Sequence, residues 1–254
     1  MSAPPGPGST EQPLVAHLLE LRSRLLKGLC GFVVAVVPAL VYSQELYSWL
    51  AAPLLQFLPA GGSMIATEVA SPFFAPVKLA SVTALAAAMP WILYQVWAFV
   101  APGLYQSERR LVVPLLFSST LLFYLGVAFA YFLVLPAVFH FVVGVAPPGV
   151  AVMTDITKYL DFALTIFIVF GVAFETPVAI VLLVWSGFVT PARLADSRAY
   201  VLVGAFVLGA ILTPPDVLSQ TLLAGCIYLL FELGIVAARV LVPGAREVER
   251  QQQH

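Results

Sequence analysis

Apolar positions along this chain do not alternate with polar ones; they gather into six long runs, at about 25–42, 77–100, 111–135, 159–187, 199–212 and 217–238. An α-helix needs roughly 20 apolar residues to cross a hydrocarbon core of about 30 Å. Such runs predict six transmembrane helices and an all-α integral membrane protein. The fifth run, Ala199–Leu212, would rise only about 21 Å. It joins the sixth through Thr213-Pro214-Pro215-Asp216, so the fifth and sixth spans predict a short hairpin. A single domain over 13–239 follows, with a Pro/Gly/Ser-rich N-terminal tail at 1–12 and a C-terminal tail at 240–254.

The segments between the runs have patterns of their own. Pro13 to Lys27 reads as a short amphipathic helix entering the bilayer, with Leu14, Leu18, Leu21 and Leu25 on one stripe and His17, Glu20, Arg24 and Lys27 on the other. Ser43 to Pro76 is a long external segment. Its first part, Gln44 to Leu58, predicts an interfacial helix bent at Pro53, with Tyr47 and Trp49 at headgroup level. Pro90 is expected to kink the second span and free a backbone carbonyl one turn back. Pro102-Gly103 ends that span, and Pro136 is expected to stop the third. The fourth run is long enough to require tilt.

Charge orients this map. Of the twelve Lys and Arg, only Lys78 and Lys158 fall on one face. Arg22, Arg24, Lys27, Arg109, Arg110, Arg193, Arg198, Arg239, Arg246 and Arg250 fall on the other. Basic residues in short loops mark the cytoplasmic side, so both termini are expected there. The chain is 61% hydrophobic and 10% charged, against about 25% charged in soluble domains. A net charge of −1, with no basic patch outside short loops, argues against nucleic acid as a partner. Cys30 and Cys226 lie within apolar runs and read as small buried hydrophobes. Without a basic n-region or a small-residue cleavage signal, the first span reads as an uncleaved anchor. No internal repeat supports an inverted-repeat transporter.

Motifs for nucleotide, metal or nucleophilic chemistry are absent, and no cofactor is implied. His17-Leu18-Leu19-Glu20 resembles a metal motif only superficially, because no second histidine is near. What remains is carboxylates in unusual places. Glu175 lies within the fourth run, where an ionised carboxylate costs about 2.5–3.5 kcal/mol on the gentler scales. It either faces a polar concavity or hydrogen-bonds, neutral, to a carbonyl freed by Pro177. Glu20 either pairs with Arg24 at i,i+4 or belongs to a binding surface. Glu108 either complements a helix dipole behind a Ser107 cap or does the same. Together the two acids suit an arginine-rich ligand. Ser219 and Gln220 are candidates for interhelical hydrogen bonds. Glu232 is expected to reach the interface or pair with Arg239. The aromatics Trp91, Tyr94, Trp97 and Phe99 read as packing and interfacial belt. On residues alone, a secondary transporter or channel using Glu175 as an ion or proton site stands beside a receptor. An intramembrane enzyme lacks convergent catalytic groups.

Several of these residues sit in longer motifs. His17-Leu-Leu-Glu-Leu-Arg-Ser-Arg-Leu25 and Ser71-Pro-Phe-Phe-Ala-Pro-Val-Lys-Leu79 come first. Tyr94-Gln-Val-Trp-Ala-Phe-Val-Ala-Pro-Gly-Leu-Tyr105 with Glu108-Arg109-Arg110 follows, then Phe174-Glu-Thr-Pro-Val178 and Leu212-Thr-Pro-Pro-Asp-Val-Leu-Ser-Gln220. In this order, from about Pro13 to Arg239, they resemble the TatC family, the multispan core of twin-arginine protein translocation. The resemblance implies a receptor in the bacterial plasma membrane for folded cargo carrying paired-arginine signal peptides. It further implies transport driven by the protonmotive force, single-span partners of the TatA and TatB class, and self-association in a larger complex. It makes Glu20 and Glu108 ligands of the signal's arginines, with Arg22 and Phe99 nearby in the recognition surface. It sets Glu175 on a concave face, Pro53 in an external cap and Asp216 in the final external turn. Thr213 and Gln220 at the hairpin become candidates for partner docking.

Overall fold

A computed structural model of the protein describes residues 11–57, 65–100, 112–145, 155–212 and 217–242. Among the described residues the only non-helical pairing is a parallel bridge between Ile65 and Asp155. Helix α1 (Glu11–Val41) is continuous, so the amphipathic lead-in and the first span are one element rather than two. Strong helix formers fill the junction around Leu25 and no breaker interrupts it. Helix α2 (Ser43–Phe57) covers the helix expected from Gln44 onward. Helix α3 (Ser71–Val100) begins ahead of the expected Val77, because Pro72 stands in its first turn, where a missing N–H costs least.

Pro136 does not stop the third span. Helix α4 (Val112–Phe129) passes through a π turn (Ala130–Val134) into α5 (Leu135–Val145). The Leu135 N–H reaches the Ala130 carbonyl, five residues back. This register shift puts Pro136 in the first turn of α5, where its lacking N–H is tolerated. The fourth span, expected as one helix, divides into α6 (Ile156–Ala173) and α7 (Thr176–Trp185), with Pro177 in the first turn of the second. After the six-residue α8 (Pro191–Asp196) come α9 (Arg198–Leu212) and α10 (Val217–Leu241). With 15 residues α9 rises about 22 Å, whereas α10 has 25 residues, so the shortness of the hairpin resides in α9.

The core centres on α6. Leu160, Ala163, Ile166 and Phe170 are wholly buried, and they share one cluster with Leu50, Leu79, Leu135 and Leu223 from α2, α3, α5 and α10. A second cluster, Ile180, Val184, Phe231 and Ile235, binds α7 to α10. Helix α1 stands at the edge and rests chiefly on α3, with Ala39 against Ala80 and Ala84. Cys30, expected to be buried, is exposed on this edge helix, while Cys226 is half-buried.

Tyrosines repair what prolines leave open. Pro53 in α2 has no N–H for the Trp49 carbonyl, and the Tyr131 hydroxyl donates to that oxygen at 3.2 Å with its ring stacked on Trp49. Pro90 in α3 frees the Ala86 carbonyl, and the Tyr124 hydroxyl donates to it at 3.0 Å. The expected freed carbonyl is therefore present, and it ties α3 to α4. Tyr159 also donates to the Leu50 carbonyl at 2.8 Å, although Leu54, four residues on, keeps its N–H.

Ion pairs tie the helices elsewhere. Lys78 in α3 meets Asp161 in α6 at 2.7 Å. Arg198 at the start of α9 grips Glu232 of α10 at 2.5 and 2.8 Å, a bidentate partner the sequence did not point to, while the charge of the expected Arg239 also acts on Glu232. Outside the spans, Asp155 caps α6 through the N–H groups of Thr157 and Lys158 and accepts from both the hydroxyl and the N–H of Thr67. The Thr67 hydroxyl is the largest cause of a carboxyl pulled down to about 2, followed by the backbone N–H bonds.

Tyr124→Phe removes only a hydroxyl and should cost about 0.6–1.7 kcal/mol, the range of interhelical bonds in membranes. In a Pro90→Ala background, which returns an N–H to the Ala86 carbonyl, the same change should cost less. A double-mutant cycle of thermal unfolding in detergent reads this, and equal costs in both backgrounds would show that the hydroxyl does not replace the missing donor. Asp155 generates a pH dependence. Its carboxyl sits at about 2 against an ordinary 3.8, so its stabilisation is present above about pH 4 and is lost as pH falls toward about 2. Asp155→Ala should remove that part of the pH profile and lower the melting temperature at neutral pH.

Candidate functional site

Two polar constellations stand out among the described residues. The first is at the N-terminal part of α1, where Glu20 and Arg24 pair at 3.4 Å and the Arg24 guanidinium also reaches Gln95 of α3 at 3.4 Å. Both contacts are long, and the pair is partly exposed. An i,i+4 pair of this kind is worth only about 0.3–0.5 kcal/mol, so Arg24 holds Glu20 loosely. Gln95 is buried, the neighbouring Trp97 more so, while Trp91 and Tyr94 are exposed, consistent with packing plus an interfacial belt.

Arg24 and Gln95 stand at the mouth of a groove of about 560 Å³ between α1 and α3. Phe99 lies at the same end, and the groove continues past Leu25, Gly28, Phe32, Val82 and Leu85 as an apolar channel. Arg22 is not part of it. Two residues on from Glu20, it points about 200° around the helix and lines a separate groove with Trp91. The structure thus brings Phe99 to the Arg24 side and leaves Arg22 on the other. Glu108, the second expected ligand, lies outside the described residues, as do Thr213 and Asp216.

The second constellation surrounds the break between α6 and α7. Glu175 occupies the break with φ −73° and ψ −12°, and its Oε2 accepts a hydrogen bond from Ser119 of α4. Ser119 is almost wholly buried. The other carboxyl oxygen, Oε1, is buried and has no partner among the described residues. The partner is thus a serine hydroxyl from another span, not a carbonyl freed by Pro177. Ser119 escaped the sequence reading because a hydroxyl in a charge-free run carries no periodic or motif signal.

Close backbone approach builds this place. A Cβ on Gly126 of α4 would sit 2.5 Å from the Phe170 carbonyl oxygen, and one on Gly234 of α10 would sit 3.0 Å from Pro177 Cα. Only glycine admits both contacts, and they seat α4 and α10 against the two sides of the break. At the hairpin, Gln220 of α10 donates to the Phe206 carbonyl of α9 at 3.0 Å. The expected interhelical bond exists, and its amide is spent within the hairpin. Gln95 and Gln220 act alike here, each a polar side chain that joins neighbouring helices.

No group of three or more His, Cys, Asp or Glu side chains able to hold a metal occurs among the described residues. The family model described as Sec-independent protein translocase protein (TatC) matches residues 16–225. The protein of Escherichia coli (strain K12) named Sec-independent protein translocase protein TatC is 55% identical over 238 residues, 94% of this chain and 92% of that one. The Haemophilus influenzae protein of the same name is 53% identical over 232 residues, 91% of each chain. A crystal structure described as the twin arginine translocase receptor TatC aligns with a TM-score of 0.80 at 37% identity, covering 88% of this chain and 98% of that one. Matched in sequence from the α1 motif to α10 and in fold over nearly its whole described length, this chain belongs to the TatC family of Sec-independent protein translocases.

Proposed function

We propose that this multi-pass membrane protein, a core component of the twin-arginine translocase, is the receptor for paired-arginine signal peptides of folded cargo. In this reading it resides in the bacterial plasma membrane with both termini in the cytoplasm and carries out no catalytic step of its own. It supersedes the small-solute transporter reading, which family membership leaves without support.

One observation carries the recognition role. Glu20 sits beside the mouth of an apolar groove and is held only by a loose pair with Arg24. A signal with two arginines before an apolar stretch complements an acid at the mouth and a greasy channel behind it. An incoming guanidinium competes with Arg24 at little cost, since the resident pair is weak. Glu108 supplies the second acid. Two charge-assisted contacts at about 1.5–3 kcal/mol each select strongly where they are shielded from water, whereas fully solvated pairs at about 0–1 kcal/mol do not. Arginine's planar fork fits a carboxylate in a way that lysine's point charge does not.

Partner docking falls on the hairpin. Helix α9 leaves Tyr200, Val203, Val207 and Ile211 exposed at helical spacing. It is too short to span by itself, and a TatA- or TatB-type single-span helix laid on this stripe would complete the apolar surface. Thr213 and Gln220 mark the turn end of that edge.

Glu20→Gln and Glu108→Gln should each weaken crosslinking of a paired-arginine signal by about ten-fold or more while the protein remains inserted. Their effects should be less than additive if both acids hold one ligand. A double Gln variant that still binds an arginine-paired signal as well as wild type, or a wild type indifferent to paired lysines, would sink the recognition role. For the partners, cysteines at Val207, Thr213 or Gln220 should form disulfides with cysteines in a partner span. Disulfides confined to α1 would move the docking edge there.

A further inference from the structure

The face of α1 turned away from Gln95 carries a second groove, open and about 620 Å³ in volume. Arg22, Ser23 and Lys27 form its polar end, Cys30 and Val34 its apolar length, and Trp91 of α3 its wall. We infer that this groove binds an anionic phospholipid, with the phosphodiester between Arg22 and Lys27 and one acyl chain laid along Cys30 and Val34.

Charge argues first. Every polar side chain lining the groove is a donor, and no carboxylate lines it. Among the described residues, neither Arg22 nor Lys27 has an acidic partner, whereas neighbouring Arg24 has Glu20. Both unpaired cations are exposed. Such a site repels an arginine-bearing peptide and attracts a phosphate, as basic pockets at membrane interfaces do. Length argues next. Arg22 to Val34 spans about 18 Å of helix, close to the roughly 15 Å of one leaflet's hydrocarbon. A headgroup at Arg22 therefore leaves its acyl chain alongside Val34 at mid-bilayer.

The wall is fixed rather than fluid. The Trp91 indole N–H donates to the Lys27 carbonyl at 2.9 Å, and a Cβ on Gly31 would fall 2.3 Å from the indole ring. The ring is thus seated in the notch that Gly31 provides, which holds the groove open beside the two cations. Arg22 in this role acts on the bilayer, on the opposite side of α1 from the face that carries Arg24.

Native mass spectrometry of the purified protein in detergent, supplied with phosphatidylglycerol or phosphatidylcholine of matched chains, tests this. No signal peptide is present, so the outcome is separate from the receptor reading. Wild type should retain phosphatidylglycerol in preference. The double variant Arg22→Gln with Lys27→Gln should reduce that preference by roughly 30-fold, and Arg22→Lys should keep most of it. Should the double variant fail to fold, Arg22→Gln compared with Arg22→Lys carries the same decision. Equal retention of both lipids by wild type, or an unchanged preference in the Gln variants, would overturn the site. So would photocrosslinking from Cys30 that captures a protein span instead of lipid in membranes containing the whole translocase.

Discussion

A backbone carbonyl that loses its amide partner within hydrocarbon or at its edge has little or no water to turn to, and much of this fold follows from how that loss is met. Pro53 and Pro90 each delete a donor within a helix, and Tyr131 and Tyr124 supply a hydroxyl from the third span in its place. Pro136 is met differently, by a π turn that shifts the hydrogen-bond register ahead of it. The repairs are also the joints. Through them α2 is fastened to the π turn and α3 to α4, so that irregular backbone becomes interhelical attachment. Tyr159, bonded to the Leu50 carbonyl from the middle of the core, extends the same tie to α6.

Helix α1 stands at the edge of this framework and carries a groove on each of two faces. On one, Arg24 pairs loosely with Glu20 and donates to Gln95 beside an apolar groove. On the other, Arg22 and Lys27 stand beside Trp91. Charges two residues apart in sequence thus meet opposite environments, because a helix turns them about 200° from one another. An acid and cations of opposite electrostatic preference can then share one short helix segment without conflict.

The surroundings of the α6–α7 break are built by close approach. Gly126 and Gly234 let α4 and α10 come against the break between α6 and α7, and this leaves Glu175 facing Ser119 within the spans. An apolar pair of the same volume would pack at less electrostatic cost. The broken helix and its polar pair are therefore a local departure from what stability by itself favours. The short α9, tied to α10 by Arg198–Glu232 at one end and Gln220 toward the other, departs likewise and leaves an apolar stripe open to a neighbour.

Hydrophobicity accumulates along a chain, so the number of spans, the shortness of the fifth and the carbonyl freed by Pro90 were all legible from residues in order. The TatC motifs added the identity of the family, since whole segments such as Phe174-Glu-Thr-Pro-Val178 keep their order whatever surrounds them. What the residues in order did not contain was who meets whom. Ser119 and Glu175 lie 56 positions apart, and nothing local to either announces the other. Arg198 takes Glu232 because α9 folds back onto α10, bringing the guanidinium to the carboxylate in fork geometry. Pro136 read as a stop because a missing N–H ends an ideal α-helix, and only the π turn ahead of it, tied through Tyr131 to α2, let the helix continue. Local chemistry determined where the chain must be helical and apolar; which of its polar groups meet was decided in three dimensions, by the helices that the fold brings side by side.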